Sequence, residues 1–485
     1  MGQSVYSVQS ALVLTLLITC YRFVILATSD LNLYSDEAYY WGWAQHFDFG
    51  YYSKPPMVAW TIMLTTALFG DGEVAVKIGS LLLYIITTMT IYLIGRELYN
   101  EKTGFYSMLA FTTLPAVSLS SMIISTDADF LLFWSLSLLF FIKAIREDRW
   151  RWWLLLGIAG GFGLLSKYTM ILFVVSALIY LVLSVPYRRH LKNARLYAGM
   201  GIAALIYSPN LIWNINNHFA SFLHTKDNAN LEGALFHPDM MLEFLGGQLG
   251  VFGPVMFLLL VTLFYRYRKL VQDEHFKMLS WFIIPFFTVI TVISLLSRAH
   301  ANWAAPVYIA GTLIVVGTLL VQNRTRLLKI AIGVNIVLTL LFYHYHAIAH
   351  AFNIELTRKT DPYKRILGWD RLGEEVGKIL QANPGAKLLG DDRKTMASLI
   401  YYAKPHPFDA VYWNPDGSIL NHYELTTDMK EQIGSDFIFI TKSNNIESIA
   451  ARFNSAETIT TIHIPVHRDY SLDFYAYRLN GFKGY

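Results

Sequence analysis

One cysteine, Cys20, stands in a chain of 485 residues. It lies inside the first apolar run, which excludes an internal disulfide and any cysteine-built metal site. Charge is scarce too: 15% of residues are charged against 54% hydrophobic, and the mean hydropathy is +0.38. A soluble domain carries roughly a quarter charged residues, so that class is excluded and a polytopic membrane protein is indicated. The net charge of +4 is small, and the basic residues cluster in short loops, where they speak to topology and not to nucleic acid. Internal repeats, low-complexity tracts and long linkers are absent from the sequence. The N-terminal segment has no basic leader region and no convincing cleavage site, so a retained first span is expected.

Apolar runs fall at about 8–28, 73–95, 104–124, 127–145, 152–166, 168–186, 196–213, 247–265, 278–297, 303–321 and 327–349, predicting about eleven spans. With the N-terminus in the cytoplasm, every second loop is cytoplasmic. The loops with Lys143, Arg146, Arg149 and Arg151, with Arg188, Arg189, Lys192 and Arg195, with Arg266, Arg268 and Lys269, and with Arg324, Arg326 and Lys329 then all lie inside, as the positive-inside rule requires. Spans five and six are short and joined at 160–169; they are expected as a hairpin that does not fully cross, with Lys167 lining a cavity or snorkelling to an interface. After His350 the composition turns polar. Trp369–Leu380 and Thr395–Ala403 read as helices, and Lys387–Gly390, Asp436–Thr441, Thr458–Val466 and Leu472–Leu479 as strands. The expectation is therefore an α-helical membrane domain over 1–350 and a periplasmic α/β domain over 351–485.

The first outer loop concentrates the chemistry. Ser35 opens a short helix whose first turn holds Asp36 and Glu37, acids placed at a membrane–water boundary where they ionise and meet lipid headgroups. Asp36, Tyr40 and Trp43 share one helical face, and the dense aromatics suit the interfacial belt. Lys54, after Tyr52, is aimed by the rigid Pro55-Pro56 turn. A capped interfacial helix with a snorkelling lysine explains the same residues. Ser125-Thr126-Asp127 opens the fourth span, where Asp127 also reads as a helix cap. Ser208-Pro209 kinks the seventh span, Trp213 anchors it, and Asn214 is placed at a cavity mouth; the loop on to Gly246 is long enough for a lid. Arg298, one of few basic groups on the outer side, is followed by His300 and Asn302; a guanidinium there suits a phosphate or serves as an interfacial anchor. His344, His346 and His350 have a spacing that could bring His346 and His350 to a metal, but no acid accompanies them and a structural role is favoured.

These elements resemble bacterial membrane glycosyltransferases of the GT-C superfamily related to protein O-mannosyltransferases, with nearer likeness to lipopolysaccharide galacturonosyltransferases and lipid A aminoarabinose transferases. The likeness rests on Asp36-Glu37 with the aromatic run, Tyr52-Ser53-Lys54-Pro55-Pro56, Asp127, the Ser-Pro and Trp-Asn elements at 208–214, and Arg298 through Asn302-Trp303 to Pro306. It implies a GT-C fold, about eleven spans with interfacial helices in the first periplasmic loop, and inverting transfer of one sugar from a polyprenyl-phosphate carrier to lipid A, lipopolysaccharide core or, less expected, protein. It implies Asp36, Glu37 and Asp127 as catalytic, Lys54 and Arg298 on the donor phosphate, and Tyr40, Tyr52, Lys167, Asn214, His300 and Asn302 as substrate contacts. The aspartate-arginine run at 390–394 resembles the relatives' strand-to-helix junction. No cofactor is required, although the paired acids are compatible with a divalent cation. The expected site is the multi-pass inner membrane of a bacterium, with the chemistry in the periplasm. A flippase of polyprenyl-linked sugars is the alternative, but that class calls for repeated halves and charges near the midplane; a non-catalytic scaffold leaves the acids and bases on one side without a purpose.

Overall fold

The computed structural model describes residues 4–228 and 235–485. Its contacts divide the chain into two units: Met1–Ala27, Lys54–Val58 and Lys77–Tyr345 in one, and Thr28–Ser53, Ala59–Val76 and His346–Tyr485 in the other.

The first unit is helical. Val8–Ala27 has 20 residues, which at 1.5 Å each matches a hydrocarbon core of about 30 Å. Glu73–Leu98, Thr126–Glu147, Ala194–Asn216, Glu274–Leu296 and Thr325–Tyr343 are also long and apolar enough to cross a membrane, six helices in all among the described residues. The remaining five expected runs fold as shorter or broken helices. The third divides into Glu101–Thr112 and Pro115–Ser120, because Pro115 starts a new helix. At that break the buried Arg22 of the first helix donates to the Thr112 carbonyl at 2.5 Å and the Ser118 hydroxyl at 3.1 Å, filling acceptors that water cannot reach in a bilayer. Trp150–Ser166 and Ile171–Leu183 are separated by Lys167, whose backbone is extended, and a single 3-10 turn. The run expected as one span over 247–265 is instead two helices, Pro238–Val251 and Pro254–Tyr265, bent by 118°. Gly253, at φ 83°, takes the left-handed conformation that the bend requires, and Pro254 removes the next amide donor.

Burial of apolar surface drives little association between helices in lipid, so close packing must do more of it. Gly157 and Gly199 supply such a contact: a Cβ on either would strike the backbone of the helix opposite. Part of the loop expected as a lid, residues 229–234, lies outside the described residues.

The second unit holds a five-stranded sheet of β1 (Lys387–Gly390), β2 (Val411–Tyr412), β3 (Phe437–Thr441), β4 (Phe453–His467) and β5 (Tyr470–Phe482), in the order β2-β1-β3-β5-β4. β1 runs parallel to β2 and β3, while β5 is antiparallel to β3 and forms a hairpin with β4. Every residue of β3 is buried, as an apolar central strand should be. Two-residue β2 carries too little pattern to be read from sequence. Trp369–Ala382 buries Trp369, Leu372 and Val376, the stripe expected of an amphipathic helix. Between β1 and β2 runs the helix Arg393–Tyr402.

Candidate active site

In the second unit the helix Ser35–Trp43 begins where expected, and its two acids have different surroundings. Glu37 is buried and its Oε2 accepts the Tyr34 backbone N–H at 2.8 Å. It caps its own helix by satisfying one of the donors left open at the N-terminus. Asp36 is about half exposed, and its Oδ1 accepts a hydrogen bond from Arg393 Nη1 at 2.9 Å. Arg393 was not among the residues singled out by sequence, although it sits in the aspartate-arginine run that closes β1. Burial would pull its pKa down, but the Asp36 carboxylate outweighs that and holds it above the ordinary value.

The guanidinium also lies 4.7 Å from the centre of the Tyr39 ring, within cation–π range. Tyr39 is the second residue missed: its hydroxyl accepts the His422 backbone N–H at 2.5 Å. Tyr40 is buried against Trp43, with ring centres 4.9 Å apart, and Tyr52 is buried as well. The aromatics of this helix pack inward against protein. Tyr39, Tyr40, Trp41 and Trp43 are all buried, with Trp41 packed edge-on to Tyr401 and Trp43 against His422. The exposed aromatics are Phe47 and Phe49, gathered around Trp60. Burial first, and then the charge of His46, push the His422 imidazole down to about 4, so it is neutral at neutral pH.

In the first unit Asp127 is central. Ser125 caps the helix Thr126–Glu147 by accepting the Asp127 N–H, so the expectation that Asp127 is the cap is corrected and its carboxylate is left for other partners. Lys167 Nζ donates to Oδ1 at 2.8 Å and Asn302 Nδ2 to Oδ2 at 3.1 Å. Lys167 is therefore drawn inward and does not snorkel. It can reach because the chain is extended between two helices there, and its ammonium also lies 5.6 Å from the Phe130 ring.

The segment carrying Arg298, His300 and Asn302 is tied at Ala301, whose carbonyl accepts from Gln248 at 3.2 Å. The Tyr308 hydroxyl lies 3.0 Å from Gln248 Oε1 and 3.2 Å from the same carbonyl. Arg298 is exposed and has no ion pair among the described residues. Burial and the Arg298 charge hold His300 below its usual pKa. Asn214 is fully buried and not at an open mouth: its amide donates to the Asn210 carbonyl at 3.1 Å and lies 3.3 Å from the Tyr168 hydroxyl. Pro209, inside the continuous helix Ala194–Asn216, precedes this pair.

Lys54 is half-buried directly before Pro55-Pro56. Two of the three clustered histidines have side-chain partners. His344 pairs with the Tyr21 hydroxyl at 2.7 Å, while His346 and His467 lie 3.1 and 2.9 Å from the two oxygens of buried Asp361. Within the first unit, an anionic centre held by a lysine and an amide and an exposed arginine are groups suited to hydroxyls and phosphates; within the second, Asp36 is a half-exposed acid engaged through one oxygen.

The family described as dolichyl-phosphate-mannose-protein mannosyltransferase matches residues 53–213. The chain is 29% identical to the lipid A galacturonosyltransferase RgtD of Rhizobium johnstonii over 436 residues, 90% of this chain and 91% of the relative. It is 26% identical to an undecaprenyl phosphate-alpha-4-amino-4-deoxy-L-arabinose arabinosyl transferase of Pseudomonas fluorescens, over 60% of this chain and 54% of that one. Its fold is similar to the crystal structure of ArnT from Cupriavidus metallidurans bound to undecaprenyl phosphate, with a TM-score of 0.63, 15% identity and coverage of 96% and 97%.

Proposed function

We propose that this integral membrane protein, a glycosyltransferase of the GT-C superfamily, transfers a single sugar from a polyprenyl-phosphate carrier to lipid A or the lipopolysaccharide core, on the periplasmic face of the bacterial inner membrane. The observation that carries the reading is the likeness to a lipid A galacturonosyltransferase along nine-tenths of both chains. A galacturonosyl unit is accordingly the first sugar to test.

The donor brings its own leaving group. The acceptor oxygen attacks the anomeric carbon from the face opposite the phosphate, the bond from that carbon to the phosphate oxygen breaks, and the polyprenyl phosphate departs with the bonding pair. The configuration inverts. Lys54 and Arg298 take the role of stabilising the phosphate as it leaves, Arg298 through the paired donors of its guanidinium. Asp36 receives the proton of an acceptor hydroxyl at Oδ2, since Oδ1 is engaged by Arg393. If the acceptor atom belongs to a phosphate, no proton need be removed and Asp36 orients the acceptor. Asp127, held by Lys167 and Asn302, contacts sugar hydroxyls. Glu37 keeps the Asp36 helix in register. With two cations on the leaving phosphate the reaction needs no obligatory metal.

The test is mass spectrometry of lipid A, core oligosaccharide and membrane proteins from cells with and without the chain, and with Asp36→Asn and Lys54→Ala. One sugar-sized mass on lipid A or core should vanish on deletion and in both variants, each variant remaining folded in the membrane. Normal transfer by either variant removes that residue from the mechanism. No mass change in any fraction, with carrier-linked sugar redistributed between leaflets, refutes transfer in favour of a flippase.

A further inference from the structure

We propose that Arg393 is the positioning residue for Asp36, both within the unit that holds the C-terminal sheet; this rests on the role given to Asp36 above. The arginine sits on an over-determined base. β1 ends at Gly390, and the next residue, Asp391, accepts from the Thr441 hydroxyl at 2.9 Å while its carbonyl accepts from Tyr412 at 2.9 Å. Asp392 caps the following helix by accepting the Thr395 N–H at 2.9 Å. Arg393 is the first helical residue, so strand, cap and helix all fix where its side chain starts.

The remaining freedom is removed by the Tyr39 ring beneath the guanidinium, itself held through the His422 N–H. Tyr39 is three residues after Asp36 and lies on the same side of its helix. Together these contacts leave the carboxylate one engaged oxygen and one, Oδ2, without a hydrogen-bond partner among the described residues. That is the arrangement required of a group that must present a single lone pair to an incoming acceptor.

A plain docking salt bridge is the competing explanation, and magnitude decides against it. The pair is 28% and 48% exposed, and exposed ion pairs contribute little to stability. The same two segments are joined without it. The Tyr402 hydroxyl bonds Glu73 and accepts the Leu33 N–H at 2.6 Å, Tyr401 donates to the Asp71 carbonyl at 2.8 Å, and Trp41 packs on Tyr401. Docking is secured by buried aromatic contacts, which leaves the ion pair to set the direction of Asp36.

The experiment is steady-state transfer by the purified full-length protein, with polyprenyl-phosphate sugar and lipid A, for Arg393→Met, Arg393→Ala, Arg393→Lys and Asp36→Asn, each checked for monodispersity and melting temperature. Arg393→Met should lose about 10²-fold in kcat, the typical cost of a misplaced catalytic group, with donor KM within about twofold. Arg393→Lys, which keeps the charge but not the planar fork, should lose about tenfold. Low, non-denaturing guanidinium should restore activity to Arg393→Ala, whereas urea should not, and neither should rescue Asp36→Asn. Unchanged kcat in Arg393→Met while Asp36→Asn is inactive overturns the proposal, and so does a folded Arg393→Ala that guanidinium does not restore. If Arg393→Met fails to fold, Arg393→Lys decides by the same criterion. Full activity of Asp36→Asn instead overturns the role of Asp36 itself.

Discussion

Replacing Lys167 by Met tests whether the Asp127 cluster is one coupled unit. The ammonium is 2.8 Å from Asp127 Oδ1, with the two side chains 20% and 9% exposed. Breaking a well-buried pair from one side costs about 3–5 kcal/mol, while polar couplings measured inside membrane bundles average about 0.6 kcal/mol with a maximum near 1.7. The partial exposure of Lys167 and the second hydrogen bond from Asn302 place this pair between those limits. Lys167→Met should therefore lose about 2 kcal/mol. Asp127→Ala strands both the ammonium and the Asn302 amide, and should lose about 3 kcal/mol. The double variant leaves only the amide exposed to the change, so its loss should fall short of the sum by about 2 kcal/mol. The assay is unfolding of the detergent-solubilised protein, read by midpoint for the wild type and the three variants. Losses that add to within about 0.5 kcal/mol refute the coupling and reduce the pair to two independent surface groups.

Two further outcomes follow from groups away from that pair. His422 has its folded pKa pushed down to about 4 from an ordinary 6.5, so the unfolded chain binds the extra proton. Stability from the neutral imidazole is complete above about pH 6.5 and is lost as pH falls toward 4, by up to about 3 kcal/mol. The melting temperature should drop across that window, and His422→Gln should flatten the drop; an equal drop in the variant sinks the assignment. At the helix bend, Gly253→Ala forces a side chain into the left-handed region and onto the buried Asn335 amide. It should destabilise by about 2 kcal/mol, and an unchanged melting temperature would show that the bend relaxes freely.

Elements with one dominant cause were legible in the sequence. The first and fourth spans appear within a residue or two of their apolar runs, because length and hydropathy decide a span almost alone. In the C-terminal third, period-2 and period-3.6 patterns located the strands β1, β3, β4 and β5 and the helices at Trp369 and Arg393. What misled was local backbone chemistry inside apolar runs. A window over 247–265 does not register that Gly253 and Pro254 turn the axis by 118°, since both residues leave the hydropathy high. Nor does any local signal say that residues 28–53 cluster with residues after 346. That grouping depends on pairs such as Leu33 with Tyr402 and Tyr39 with His422, more than 350 positions apart.

The same limit governs the site, and the two neighbouring acids make the reason concrete. Asp36 and Glu37 are alike in charge and adjacent in sequence, but a helix turns about 100° between them. One turn-start position points Glu37 back to the Tyr34 amide, where it is buried as a cap. The other points Asp36 outward, where an arginine from the C-terminal domain can engage it. Asp127 repeats the lesson: with Ser125 taking the cap, its carboxylate is released to Lys167 and Asn302, 40 and 175 residues away. Sequence identifies which residues can ionise near the membrane surface. How each carboxylate is engaged is set by distant partners, and in each case here one of them is a long, jointed side chain, Arg393 or Lys167, fixed at a junction between two elements. Junction residues of that kind, a basic residue directly after a strand or between two helix halves, are therefore the positions to search when an acid is found at a membrane boundary without its partner.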